Sequence, residues 1–317
     1  MLALIGMPRS GTTWVAKAID SHPKTYYLHE PDSVKRLSIP NIINEQDADE
    51  YRQTLSDYMN DIERVDGLKV VGRLPFYPKA YFNGAQLVFN RMSATASKGL
   101  GRFFPSLGKA APLLIKPRGD YEVFFKSIES MGRVSALLKA DPDLKVLMLV
   151  RHPCAVINSE LKGEAANKFA SKTPIYENWG LFEKLLFSDT AVQQGLTLEG
   201  LKAMTPAERL AWKWRIFYEQ MLSQADKPHC MMIQYEELAS KPQAGFEKVM
   251  AFYGLDMDPQ VQQYLIDTTT SHSDAYYATS KDPAKAMHSW KQRLDEDTIQ
   301  QITAIAGEHL NNEYWSA

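Results

Sequence analysis

The chain has 317 residues, 44% of them hydrophobic and six of them tryptophan, enough apolar material for one large α/β domain or two ordinary ones. A formal net charge of −2 argues against general nucleic-acid binding, and two cysteines, Cys154 and Cys230, indicate neither a disulfide framework nor a cysteine-rich zinc site. No apolar run is long enough to span a bilayer.

Residues 2–5 are apolar, too few for a helix and bounded by Gly6 and Pro8, which predicts a buried strand. A strand starting at Leu2 leaves no room for a signal peptide or N-terminal anchor, so the expectation is a soluble cytoplasmic protein. Gly6-Met7-Pro8-Arg9-Ser10-Gly11-Thr12-Thr13-Trp14 follows, and residues 13–19 have helical composition. A strand, a glycine-bounded loop and a helix make a phosphate cradle. Backbone N–H groups point inward at the loop, and the helix N-terminus adds partial positive charge. The triphosphate-binding form of this loop places lysine after its second glycine, on the β/γ-phosphates. Here that position is Thr12, and Arg9 supplies a cation from within the loop. The pattern points to a phosphate ligand without a triphosphate tail and without a metal.

Asp20-Ser21-His22-Pro23 closes the helix, with His22 as a turn or capping residue. Residues 26–28 form a short strand that delivers His29-Glu30-Pro31 to a strand end, where α/β proteins place their chemistry. Glu30 is the carboxylate there; by composition alone it is a solvated loop acid. Residues 45–66 are acidic and read as a surface helix followed by a turn. From Gly67 to Arg118 the balance inverts: Lys and Arg recur, aromatic residues are interleaved, and no Asp or Glu occurs. That stretch is an acceptor lid, an interfacial segment making peripheral membrane contact, or a solvated surface.

Residues 113–115 read as a strand ending in Lys116-Pro117-Arg118, and residues 134–139 as the end of a helix. Lys145–Val150 is a second buried strand, leading through Arg151-His152-Pro153 into a helix that carries Ser159. A triphosphatase often has a magnesium-holding Asp at this strand end; this chain has Arg151. Arginine grips a phosphate bidentately, and a hydroxyl near a helix start adds a neutral donor. His152 and Cys154 read as structural. Helices are expected over 179–187, 210–222, 243–253 and 259–266 and from Thr298, with Trp212, Trp214 and Phe217 in the core. Residues 230–233 make a third buried strand. No internal repeat or low-complexity tract occurs.

These motifs resemble the sulfotransferase family that uses 3′-phosphoadenosine 5′-phosphosulfate (PAPS). Pro8 to Thr13 is similar to the family's Pro-Lys/Arg-Ser-Gly-Thr-Thr loop. The resemblance implies that Ser10, Gly11, Thr12 and Thr13 bind the 5′-phosphate and that Arg9 sits beside the bridging oxygen. Arginine at that position looks like the carbohydrate and tyrosylprotein branches. Trp14 matches an aromatic that stacks on adenine in some members, and equally suits a core position. Tyr27-Leu28-His29-Glu30-Pro31 looks like the carbohydrate 6-O-sulfotransferases, which implies Glu30 as general base, with neighbouring His29 as the alternative. Lys116 at a strand end implies a donor to the sulfuryl group or leaving phosphate. Arg151 and Ser159 have the spacing of the family's 3′-phosphate pair. Gln234-Tyr235-Glu236-Glu237-Leu238 is similar to a structural segment of the family. Ser280 and Lys281 fall in the loop that closes over the cofactor and are implied 3′-phosphate contacts, although the family's Arg-Lys-Gly signature is missing there.

The implied fold is α/β, a P-loop-type central, mostly parallel sheet with helices on both faces. It forms one domain over 1–317 with a basic, aromatic-rich insertion at about 67–112. The implied reaction moves a sulfuryl group from PAPS to an acceptor hydroxyl on a carbohydrate or glycolipid, an anionic one in view of the insertion. It releases adenosine 3′,5′-bisphosphate (PAP) and needs no metal. A nucleotide-dependent kinase and a non-catalytic nucleotide- or glycan-binding protein on the same fold are the other two readings.

Overall fold

In a computed structural model, which describes residues 1–103, 112–166, 173–270, 283–311 and 315, Leu2–Gly6 is strand β1 at the centre of a five-stranded sheet. The other strands are β2 (Thr25–His29), β3 (Glu122–Ser127), β4 (Lys145–Val150) and β5 (Cys230–Gln234). Their order is β2-β3-β1-β4-β5, and every pairing is parallel. A parallel sheet is covered on both faces, so its strands read as continuous apolar runs, as β1 and β4 do.

Alternate side chains of the strands feed two cores. Ala3, Ile5, Phe125, Val146 and Met148 pack on one face with Trp214 and Phe217. Leu2, Leu4, Phe124 and Leu147 pack on the other with Val15, Ile19, Phe246 and Val249. Seven described helices have ten residues or more: α1 (Thr12–Ser21), α2 (Gly84–Phe103), α3 (Pro153–Ala165), α4 (Pro206–Leu222), α5 (Pro242–Tyr253), α6 (Pro259–Thr270) and α7 (Glu296–Ala306). The expected start of α4 is a capping box: the Thr205 hydroxyl accepts from the Glu208 amide while Glu208 accepts from Thr205 N–H. The acidic stretch expected as one surface helix is Arg52–Asn60 flanked by two 3₁₀ turns.

One expected strand is absent. Residues 113–115 lie between Pro112 and Pro117, which lack the N–H a ladder needs. Ile115 instead spends both backbone groups on the buried Asn90 side chain, its N–H donating at 2.8 Å and its carbonyl accepting at 3.1 Å. The strand between β1 and β2 is β3, so the lysine carried to a strand end is Lys126, not Lys116.

Candidate active site

The chain leaves β1 and returns to the sheet on both of its sides, so the C-terminal ends of β1, β3 and β4 border a topological switch point. The loop after β1 is shaped by contacts that exclude larger side chains. A Cβ on Gly6 would stand 2.6 Å from the Leu149 carbonyl oxygen. Gly11 has φ +90°, and a Cβ there would meet the Tyr235 ring at 2.4 Å. Ser10 is fully buried, and both its amide and its hydroxyl donate to the Met7 carbonyl, at 3.2 and 2.7 Å. Ser10 therefore braces the loop from inside. The amides of Thr12 and Thr13 open α1, where a helix has no internal partner for them, and these are the donors the loop offers an anion. Trp14 is a core residue: it packs edge-on against Tyr235 and Phe246, and its indole N–H donates to Thr268 Oγ1 at 3.1 Å.

Arg9 and Glu30 are the two non-glycine residues with positive φ among those described, at +69° and +50°. Such conformations cost roughly 1–3 kcal/mol each and persist where surrounding contacts over-determine them. Those contacts are visible. Arg9 Nε donates to Ser159 Oγ at 2.9 Å, and the Arg9 carbonyl accepts from Arg151 Nη1 at 3.2 Å. The first loop, the end of β4 and the second turn of α3 thus meet at Arg9. Arg151 is itself held: Nη2 donates to the Ala286 carbonyl at 2.7 Å, the guanidinium lies over the Tyr235 ring at 4.3 Å, and Glu236 stands 4.0 Å from Nε. Glu236 also accepts from the His152 amide and the Trp315 indole, so the segment after β5 is bracing for β4. His152 caps α3 and stacks on Trp290; burial first, then nearby cations, lowers its pKa to about 4.

Glu30 lies buried at the end of β2. Lys126 Nζ, from the end of β3, donates to Oε1 at 2.5 Å, and Lys69 Nζ is 2.8 Å from Oε2. The Glu30 amide donates to the Lys126 carbonyl at 2.9 Å. Buried Asp32, which accepts from Ser127 and Ser130, ties the same two strand ends together. Burial alone would raise the Glu30 pKa; the Lys126 charge, then His29 and the lysine hydrogen bonds, outweigh it and hold the carboxylate at about 2. Burial, reinforced by Lys126, lowers His29 to about 2, so its ring stays neutral with Nδ1 against the Tyr27 hydroxyl at 2.6 Å.

The structure brings Arg9, Ser10, Gly11, Thr12, Thr13, Arg151 and Ser159 around one loop, with Glu30 at the end of β2, beyond β3 in the sheet. The sequence gives no role to Lys126 or Lys69. The signal for Lys126 is the β-rich run Tyr121-Glu122-Val123-Phe124-Phe125 after the turn residues Gly119-Asp120. Lys69 has no local signal; the fold alone brings it to Glu30. Lys116 lines a cavity under α2. Ser280 and Lys281 lie outside the described residues. Among the described residues, no group of three or more His, Cys, Asp or Glu is placed to hold a metal ion.

A family model described as "Sulfotransferase family" matches residues 2–259. Among curated proteins, the chain is 26% identical over 174 residues to Carbohydrate sulfotransferase 3 of Mus musculus, covering 54% of this chain and 34% of that protein. It is 23% identical over 336 residues to Carbohydrate sulfotransferase 2 of Homo sapiens, covering 93% and 61%, and 21% identical over 343 residues to Carbohydrate sulfotransferase 1 of Danio rerio, covering 98% and 76%. The chain therefore spans about a third to three quarters of the length of these relatives. Among solved structures, it is 14% identical to a sulfotransferase domain from the curacin biosynthetic pathway, with a TM-score of 0.46 and coverage of 96% and 95%. It is 13% identical to a mouse sulfotransferase complexed with PAP, with a TM-score of 0.47 and coverage of 98% and 85%.

Proposed function

The chain belongs to the sulfotransferase family, and we propose on that footing that it transfers a sulfuryl group from PAPS to an acceptor hydroxyl, on a carbohydrate or glycolipid. The observation that carries the reading is the junction at Arg9, which bonds Ser159 through its side chain and Arg151 through its carbonyl. It sets a phosphate-type loop, one of whose cations is Arg9, against a second arginine–serine pair, the arrangement a nucleotide with two separate anionic groups requires. The donor set fits such a ligand: helix-start amides at Thr12 and Thr13, guanidinium groups at Arg9 and Arg151, and no lysine for a γ-phosphate.

PAPS supplies the activated sulfuryl group, already linked to a phosphate leaving group. The chain's own residues provide the rest. Glu30 takes the acceptor's proton. Lys126 and Arg9 face the charge that develops as the sulfuryl group moves. The two ammoniums on Glu30 make it a weak base in the resting site. Drawing either one toward an anion raises the basicity of Glu30, because burial by itself favours the protonated acid. The carbohydrate part of the proposal is supported by the names of the curated relatives.

Calorimetry tests the reading. PAP is expected to bind and ATP to bind far more weakly. Losing a charge-assisted contact costs about 1.5–3 kcal/mol, so Arg151→Ala should weaken PAP about tenfold or more while hardly changing adenosine 5′-phosphosulfate. Equal losses for both ligands would remove Arg151 from the 3′-phosphate, and preference for ATP would favour a kinase.

A further inference from the structure

A cavity of about 250 Å³ opens beside β2, the strand that leads to Glu30. Tyr27 is in its wall and bonds His29, whose Nε2 is 3.7 Å from Glu30 Oε1; Val70 and Val71, next in the chain to Lys69, are in the wall too. The rest of the lining is chiefly aromatic and aliphatic, including Tyr26, Tyr77, Phe82, Leu87 and Leu114; its charged members are Asp20 and Lys79, paired at 3.1 Å, with Asp66, Arg73 and Lys116. Such a lining suits an apolar group, whereas a sugar ring needs a hydrogen-bonding partner for most of its hydroxyls.

The outer wall is α2, through Leu87 and Asn90. The other side of this helix is bare. Val88, Phe89, Met92, Leu100 and Phe103 are 53, 42, 68, 51 and 80% exposed. They are five of the eleven large apolar side chains exposed among the described residues, gathered on one helix. A stripe of this kind marks an interaction surface. Its charge setting identifies the occupant. No acidic residue occurs from Gly67 to Arg118, while Arg91, Lys116 and Arg118 are exposed there. A second copy would set these cations against themselves across a two-fold axis. An anionic lipid surface is complementary to both the apolar stripe and the charge.

We propose that α2 rests in an anionic lipid surface and that the acceptor is an amphiphile drawn from it. The apolar part enters the cavity, and the hydroxyl is presented at Glu30; only this last clause rests on the sulfotransferase reading.

The test uses binding alone, so it stands apart from turnover. The protein should sediment with phosphatidylcholine vesicles that contain phosphatidylglycerol and much less with phosphatidylcholine alone. A Met92→Glu/Phe103→Glu variant should lose this binding while keeping PAP affinity. Decyl β-D-galactoside, titrated below its micelle concentration, should bind at least about tenfold tighter than methyl β-D-galactoside, a difference that fewer than two buried methylenes supply. Val71→Trp, or Leu87→Trp from the facing wall, should erase that preference. Equal affinity for the two galactosides, a preference that survives both tryptophan variants, failure to sediment with either vesicle, or a dimer that Met92→Glu/Phe103→Glu disperses would each overturn the proposal. Failure of PAP to bind would count against the sulfotransferase reading and leave these outcomes readable.

Discussion

Glu30 is a carboxylate whose basicity is set by two neighbours. Lys126 reaches it from β3 and Lys69 from the basic stretch, and together they reverse the effect of burial. Lys126→Met removes the larger of these influences. The Glu30 pKa should then rise from about 2, and the acid limb of the kcat profile should move to higher pH by the same amount. A profile that does not move would show that Glu30 is not the titrating base. Glu30→Gln keeps the shape and abolishes proton acceptance, so kcat should fall at least about a hundredfold. His29→Ala should have a mild effect, because that ring is buried, neutral and bonded to Tyr27.

The loop between β1 and α1 carries the clearest local signal, because its close backbone contacts demand particular residues. Gly11 holds φ +90° under the Tyr235 ring, and Gly6 lies against the Leu149 carbonyl. Gly11→Ala should therefore cost both stability and PAP affinity, whereas Gly119→Ala, which also has positive φ but open space around its Cβ, should cost stability alone. Paired calorimetry and thermal melting separate the two outcomes. Strands β1, β2, β4 and β5 were legible from short apolar runs bounded by turn residues. Strand β3 was not, because the neighbouring Leu113-Leu114-Ile115 run mimics a buried strand. The prolines beside that run, and an asparagine 25 positions away that satisfies Ile115, decide against it. The lysine at the strand end was misplaced for the same reason. Lys69 and the bracing of Arg151 by Glu236 depend on contacts between distant segments, which no local pattern encodes.

At the scale of the whole molecule, the site's buried groups set how stability responds to acid. His29 and His152 are held neutral, with pKa lowered to about 2 and about 4 from an ordinary 6.5. The unfolded chain binds protons there that the folded chain refuses, so their contribution is present above pH 6.5 and is lost as pH falls below it. Glu30, lowered to about 2 from 4.5, adds a second loss that starts below pH 4.5. The melting temperature should therefore decline from pH 7 toward pH 4, and His29→Asn should flatten that decline. A melting temperature independent of pH over this interval would contradict the burial of both imidazoles as neutral groups.

The same frame joins a phosphate-type loop and a clamped carboxylate at the C-terminal ends of parallel strands, and the reaction proposed for them is sulfuryl transfer. The most direct measurement is the incubation of the protein with PAPS carrying labelled sulfur, in excess chelator, with a panel of glycans, glycolipids and alkyl glycosides, followed by mass spectrometry of the products. A sulfated acceptor, an equal amount of PAP, and a loss of at least about a hundredfold in Glu30→Gln with PAP binding retained are expected. Phosphoryl transfer from ATP that returns with magnesium, or bound PAP with no transfer to any member of the panel, would contradict this expectation.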